Sequence, residues 1–245
     1  MIDIHSHILA GIDDGAEALE DGLGIVRELA AQGVTEIIAT PHYIDETIYV
    51  SPKQKNQRLL TQLKKAVKNE NLNVKLYLGN EIYISNHISD LVDSGQISPM
   101  NGSEYLLVEL PMTEKFPNYE DILHDLTLKG FKVILAHPER YVITQNDFTI
   151  LERLVEMGVL MQCNTGSFIR QYGKHAEKLA VKLAKNRMIF ALGSDMHHNR
   201  NGNEIELSIK KLRKYYNEDE LEQLLVENPR KIINGRKYRR STKKN

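Results

Sequence analysis

One cysteine stands in the whole chain, Cys163, so an internal disulfide framework is excluded. No segment reaches the roughly 18 consecutive apolar residues that a membrane-crossing helix requires. The first residues lack the basic stretch and apolar core of a signal peptide, and the expectation is a cytoplasmic, non-embedded protein. No Gly-x-Gly-x-x-Gly turn is present to suggest dinucleotide binding. Internal repeats, low-complexity segments and Pro/Gly/Ser-rich linkers are also missing, which argues for a single domain over about 1–235.

Net charge is nearly absent at −1, but this hides an asymmetry. Six of the 32 Lys and Arg fall in residues 236–245, which contain no acid, leaving 26 cations against 33 carboxylates in the body. An acidic body argues against general nucleic-acid binding. The segment 236–245 reads as a solvated, disordered basic tail, with peripheral contact to an anionic membrane or an acidic partner as the alternative.

What is present is a repeated alternation. Apolar runs at 2–4, 34–39, 74–78, 105–110, 132–136, 159–162 and 189–192 are continuous rather than alternating, as in strands buried on both faces. Helical periodicity follows at 18–32, 52–69, 88–94, 119–129, 148–156, 175–185 and 204–215, with one more helix at 219–226 before Asn228-Pro229. Ser51-Pro52 marks a helix start, and Gly33, Gly130 and Gly158 mark helix ends. Seven strand–helix units predict a parallel α/β sheet, most simply a closed barrel; an open doubly wound sheet is the alternative.

The chemistry-bearing residues fall where those strands end. The first run closes on His5-Ser6-His7, and residues i and i+2 of an extended strand face the same side, so two imidazoles can share one point. His-x-His alone is a weak signal. The other strand ends add to it: Asp14 in the following loop, His42 after the second run, Glu81 after the third, Glu109 within the fourth, His137 after the fifth, Asp195 and His197 after the seventh. Loops usually supply Gly, Asn, Ser, Asp or Lys, but four separate strands ending in histidine are hard to obtain by chance, and a carboxylate inside the apolar run Leu106-Leu107-Val108-Glu109-Leu110 is costly unless paired or metal-bound.

In β/α barrels the carboxyl ends of the strands form the active-site face. Nine donors exceed what one ion needs and fit two or three. Mixed imidazole and carboxylate donors suit Mn²⁺, Fe²⁺ or Zn²⁺, with Mg²⁺ a further option, and paired ions activate water and polarise a phosphoryl oxygen. Arg140 offers a bidentate fork for phosphate, and Arg200 is a second, weaker nominee.

His87, His124, His175 and His198 read as surface or packing residues. Cys163 through Arg170 imitates the Cys-x5-Arg loop of cysteine phosphatases, but six residues intervene, which would spoil a phosphate cradle.

These pieces resemble the polymerase and histidinol phosphatase (PHP) family: His5-Ser6-His7, Thr40-Pro41-His42, His137-Pro138-Glu139-Arg140 and Ser194-Asp195-Met196-His197. With Asp13-Asp14-Gly15, Glu81-Ile82-Tyr83 and Asn228-Pro229-Arg230-Lys231 added, the chain is more narrowly similar to the metal-dependent tyrosine-protein phosphatases of bacterial capsule and exopolysaccharide operons. The resemblance implies a distorted (β/α)7 barrel of the PHP type and a trinuclear, manganese-preferring site. His5, His7, Glu81 and Asp195 would hold one ion, Glu81, Glu109 and His137 a second, and Asp14, His42 and His197 a third. Arg140 matches the family's phosphate-binding arginine; the family's second arginine follows the last metal histidine at a longer spacing than Arg200. The implied substrate is the phosphorylated, tyrosine-rich tail of a cognate bacterial tyrosine kinase. A phosphoesterase acting on a small molecule such as histidinol phosphate is the alternative.

Overall fold

Nine short strands, all paired in parallel, are laid down in two sheets in this computed structural model, which describes residues 1–200 and 202–238. The first sheet has three strands in the order β1 (Ile2–Ser6), β2 (Glu36–Ala39), β4 (Lys75–Leu78). The second has six, in the order β3 (His42–Tyr43), β5 (Glu81–Tyr83), β6 (Tyr105–Glu109), β7 (Lys132–Ala136), β8 (Leu160–Asn164), β9 (Ile189–Gly193).

Two of the strands, β3 and β5, are not apparent in the hydropathy pattern. Each continues an earlier strand after a two-residue break, Thr40-Pro41 before β3 and Gly79-Asn80 before β5. Proline has no N–H to give a ladder. Its carbonyl still accepts, from Glu81 N at 3.1 Å and Asn80 Nδ2 at 3.0 Å, so the two chains stay side by side across the break. On the far side, the segment after β9 meets β1 through Asp195 N to His5 O (2.8 Å) and His7 N to Met196 O (3.0 Å). The expectation of one closed sheet is therefore met only at the level of a single α/β domain with parallel strands. Two sheets are seen because those breaks interrupt the ladder.

Burial on both faces explains the unbroken apolar runs. On β6 and β7, Leu106, Val108, Val133 and Leu135 pack outward with the helices, while Leu107 and Ile134 join Ile2, Ile4, Met100 and Ile232 on the other side. Glu109 continues the Leu107 side of β6, two residues on.

The helices follow the expected pattern closely: α1 (Leu19–Ala31), α2 (Lys53–Asn69), α3 (Ile88–Ser94), α4 (Tyr119–Leu128), α5 (Val142–Asn146), α6 (Thr149–Glu156), α7 (Gly173–Lys185), α8 (Glu204–Leu212), α9 (Glu218–Glu222) and α10 (Asn228–Ile233). Gly33, Gly130 and Gly158, at φ of +85° to +88°, provide the left-handed residues beyond α1, α4 and α6. Asn228-Pro229 opens α10 rather than ending a helix, because proline in the first turn costs no hydrogen bond. None of the helices among the described residues is long and apolar enough to cross a membrane.

The domain also extends slightly past the expected boundary. Lys237 bridges to Ser103, and the Tyr238 ring lies 4.6 Å from that of Phe131. Its apolar ring has a partner, so this first part of the basic segment is docked. The rest of the expected tail, 239–245, lies outside the described residues.

Candidate metal centre

His5 and His7 leave β1 pointing the same way, and their Nε2 atoms stand 3.2 Å apart. Each ring is fixed from behind. His5 Nδ1 lies 2.8 Å from Gln162 Oε1, and His7 Nδ1 lies 2.8 Å from Asp13 Oδ2. An acceptor at Nδ1 places the ring proton there, so both Nε2 lone pairs face one another. Two facing lone pairs repel unless a cation lies between them. The surrounding backbone leaves no room to relax: a Cβ on Gly15 would fall 2.3 Å from His7 O, and one on Gly193 2.6 Å from His5 Cβ.

Glu81 occupies the centre. Its Oε2 is 3.1 Å from His5 Nε2, 3.3 Å from His7 Nε2 and 3.1 Å from His42 Nδ1, yet it is buried and makes no hydrogen bond. Its Oε1 lies 2.9 Å from His137 Nε2. A buried carboxylate oxygen that makes no hydrogen bond among three imidazole nitrogens is the donor arrangement that a cation completes. Asp195 presents Oδ1 at 3.5 Å from both His5 and His7 Nε2, while Asn164 Nδ2 (2.7 Å) and Arg140 NH1 (2.6 Å) donate to its Oδ2. Asp14 bridges His197 and His42 at 3.3 and 3.4 Å.

Three groups of converging donors result: His5, His7 and Glu81; His42, Glu81 and Glu109; and His7, Asp14, His42 and His197. These groups take in seven of the nine nominated donors, and His137 and Asp195 adjoin them through Glu81 and through His5 and His7. The second group differs from the arrangement that the resemblance implies, since His42 stands where His137 was expected. His137 Nε2 still approaches Glu109 Oε1 at 3.8 Å as well as Glu81. The donors are nitrogen and carboxylate oxygen without thiolate, as hard and borderline divalent ions prefer.

The electrostatics divide the two central carboxylates. Burial opposes ionisation of Glu81, but His5, His42 and His137 outweigh it and hold the carboxyl well below its usual range. Burial pushes Glu109 well above its usual range, and the charges of Glu81 and Asp195 push it further. Crowded carboxylates of this kind are relieved by a bound cation, which inverts the local balance.

Arg140 comes from the short turn Pro138–Arg140 after β7. Besides its bond to Asp195, its guanidinium lies 4.3 Å from the centroid of the Tyr172 ring. Arg200 is beside the cluster but differently tied, with NH1 on Glu204 Oε2 (2.6 Å) and NH2 at 3.5 Å from the Asp195 carbonyl. His87, His124, His175 and His198 belong to none of the donor groups. Cys163 is fully buried; burial and the neighbouring Glu139 push its thiol well above the usual range, which leaves no thiolate nucleophile.

Sequence reasoning missed the supports: Asp13, Gln162 and Asn164. Gln162 Nε2 donates to Asn164 Oδ1 at 2.8 Å, so one chain of contacts runs from His5 through β8 to Asp195. The signal was available, since Gln162 and Asn164 are an i, i+2 pair at a strand end, as His5 and His7 are.

Comparison with known proteins follows the same direction. The profile of the capsular polysaccharide synthesis CpsB/CapC family matches residues 1–234. Tyrosine-protein phosphatase YwqE of Bacillus subtilis is 33% identical over 199 residues, covering 81% of this chain and 78% of the relative. Tyrosine-protein phosphatase CpsB of Streptococcus pneumoniae is 27% identical over 239 residues, covering 95% and 98%. A solved chain from the crystal structures of those two proteins, described as unique metal-dependent tyrosine phosphatases, superposes with a TM-score of 0.89 at 28% identity, covering 98% of this chain and 97% of that one.

Proposed function

The chain belongs to the CpsB/CapC family of capsular polysaccharide synthesis, and from that premise we propose that it is a metal-dependent protein-tyrosine phosphatase. The observation that carries the reading is the orphaned Glu81 Oε2 among His5, His7 and His42. In this reading His5, His7, Glu81 and Asp195 hold a first ion, Glu81, Glu109 and His137 a second, with His42 also in reach, and Asp14, His42 and His197 a third. Manganese is the proposed metal. The two sheets form the wall of a distorted (β/α)7 barrel, with the cluster at the carboxyl ends of its strands.

When bound, divalent ions supply an activated water and Lewis acidity toward a phosphoryl group. The chain's own residues do the rest. Arg140, one quarter exposed, presents its guanidinium at the rim of the cluster, where it can pair with phosphoryl oxygens. The bond to Asp195 anchors one end of that fork and keeps the carboxylate aimed inward. Arg200 adds positive potential from behind. A phenol leaves with a pKa of about 10, so it demands less protonation than an alkoxide. Hydrolysis proceeds without a phosphoenzyme on Cys163, whose thiol is buried and protonated.

The proposed physiological substrate is the phosphorylated, tyrosine-rich tail of a bacterial tyrosine kinase, with dephosphorylation controlling capsular or exopolysaccharide synthesis in the cytoplasm. The test compares phosphotyrosine peptide with histidinol phosphate, each with Mn²⁺ and with chelator. Preferential, chelator-sensitive turnover of the peptide is expected. Equal or faster turnover of histidinol phosphate would sink the reading.

A further inference from the structure

Tyr172 lies in the turn between β8 and α7, and the chemistry so far gives it no part. Its ring lies against the Arg140 guanidinium at 4.3 Å. Its hydroxyl is buried without a hydrogen-bond partner. The aromatic face of Tyr172 is thus the surface that one of the arginines nominated for phosphate lies on.

The turn is shaped to hold the phenol there. Residues Thr165–Ile169 form a short 3-10 turn, and Arg170 follows at a φ of +68°. Gln171 N then donates to Gly166 O at 3.0 Å, and Gly173 N to Arg170 O at 2.9 Å. A Cβ on Gly166 would fall 2.1 Å from Gln171 Oε1, a side-chain end that can swing away, and 3.1 Å from Tyr172 Cε2, so the backbone at 166 passes close to the ring. A left-handed non-glycine residue is costly, and its presence here indicates a geometry imposed by the surroundings. An aromatic face beside a part-buried guanidinium orients its plane, which Asp195 alone, at one nitrogen, does not.

We propose that Tyr172 is a positioning residue whose ring holds the Arg140 guanidinium in the plane that faces a phosphoryl dianion. The identity of that anion rests on the phosphatase reading. The ring, not the hydroxyl, carries this role.

The test measures inorganic phosphate binding to the Mn²⁺-loaded full chain by calorimetry, with the Kd for Mn²⁺ recorded in parallel. Tyr172→Leu is expected to weaken phosphate about tenfold and leave the Mn²⁺ Kd unchanged. Tyr172→Phe, which keeps the ring, is expected to recover most of that loss. In an Arg140→Ala background, Tyr172→Leu should cost less than about threefold, because the ring then has nothing to orient. Unchanged phosphate affinity in Tyr172→Leu, full additivity with Arg140→Ala, or a wild-type chain that binds no phosphate would each overturn the assignment. A chain that shows the expected binding pattern yet turns over no phosphotyrosine would remove the phosphatase reading and support the role of Tyr172.

Discussion

Replacing Asp13 by Asn tests whether the cluster is a metal site through a residue that is not proposed to touch metal. Asp13 Oδ2 faces His7 Nδ1 at 2.8 Å and accepts from His42 N at 3.1 Å, while Oδ1 accepts from Gly15 N at 3.0 Å. All three neighbours are donors, so the site needs an acceptor on both oxygens. An amide has only one. If its oxygen faces His7 and His42, its NH₂ confronts the Gly15 N–H. If it turns over, its NH₂ confronts His7 Nδ1–H and drives the imidazole proton to Nε2, where the lone pair is wanted. Supports of this kind are worth about 10–100-fold in metal affinity, or about 1.4–2.7 kcal/mol. The assay is a Mn²⁺ titration read both by calorimetry and by phosphotyrosine turnover. Metal affinity should fall by that factor, and excess Mn²⁺ should restore most of kcat. A Kd within twofold of wild type, or a kcat loss that no Mn²⁺ concentration repairs, would show that Asp13 does not act through His7.

Other perturbations separate binding, chemistry and fold. Arg140→Ala should lower kcat/KM for phosphotyrosine peptide by about 10²–10³ with Mn²⁺ content unchanged; loss of metal along with activity would mean that its main role is to support Asp195. Chelator should abolish turnover and also lower Tm, since ions that bind only the folded chain stabilise it; an unchanged Tm would argue against tight sites. Gly15→Ala places a Cβ 2.3 Å from the His7 carbonyl and should destabilise by about 1–3 kcal/mol in chemical denaturation. Cys163→Ala should keep phosphatase activity, and thiol reagents should leave the unaltered chain active, while abolished turnover in either case would revive a thiol mechanism.

Legibility of the sequence followed the physics of each residue. Continuous apolar runs located seven strands because burial on both faces leaves no alternation to misread. The i, i+2 geometry of a strand was enough to pair His5 with His7. Tyr238 could not be read this way: its docking depends on Phe131, far away in sequence, and a basic neighbourhood outweighs one tyrosine in any compositional view. Asp13 was hidden beside Asp14, since two adjacent carboxylates in a loop give no hint which faces a histidine ring and which the cluster. Only the paired contacts with His7 Nδ1 and His42 N separate them.

The two breaks in the ladder link these observations. Pro41 and Gly79-Asn80 interrupt the first sheet, and immediately after them come His42 and Glu81, which begin β3 and β5 and pair with each other in register. A strand continuing straight from Ala39 would keep strict alternation, and one residue of slip exchanges the two faces. The break keeps that alternation: Ile37 and Ala39 face the helices as Tyr43 does, and Ile38 faces inward on the parity of His42, so the break shifts His42 along its strand without turning it to the other face. It brings His42 Nδ1 to 3.1 Å from Glu81 Oε2, so one carboxylate lies within reach of imidazoles from β1 and β3 together. Gly79 has a packing reason as well, since a Cβ there would fall 2.7 Å from Met100 Sδ. The irregularity that divides the strands into two sheets is thus the same feature that centres Glu81. Restoring a regular strand across 40–42 should therefore cost Glu81 its His42 neighbour, read as weakened Mn²⁺ binding in a titration, while the contacts of Glu81 with His5, His7 and His137 survive; unchanged Mn²⁺ affinity would refute this.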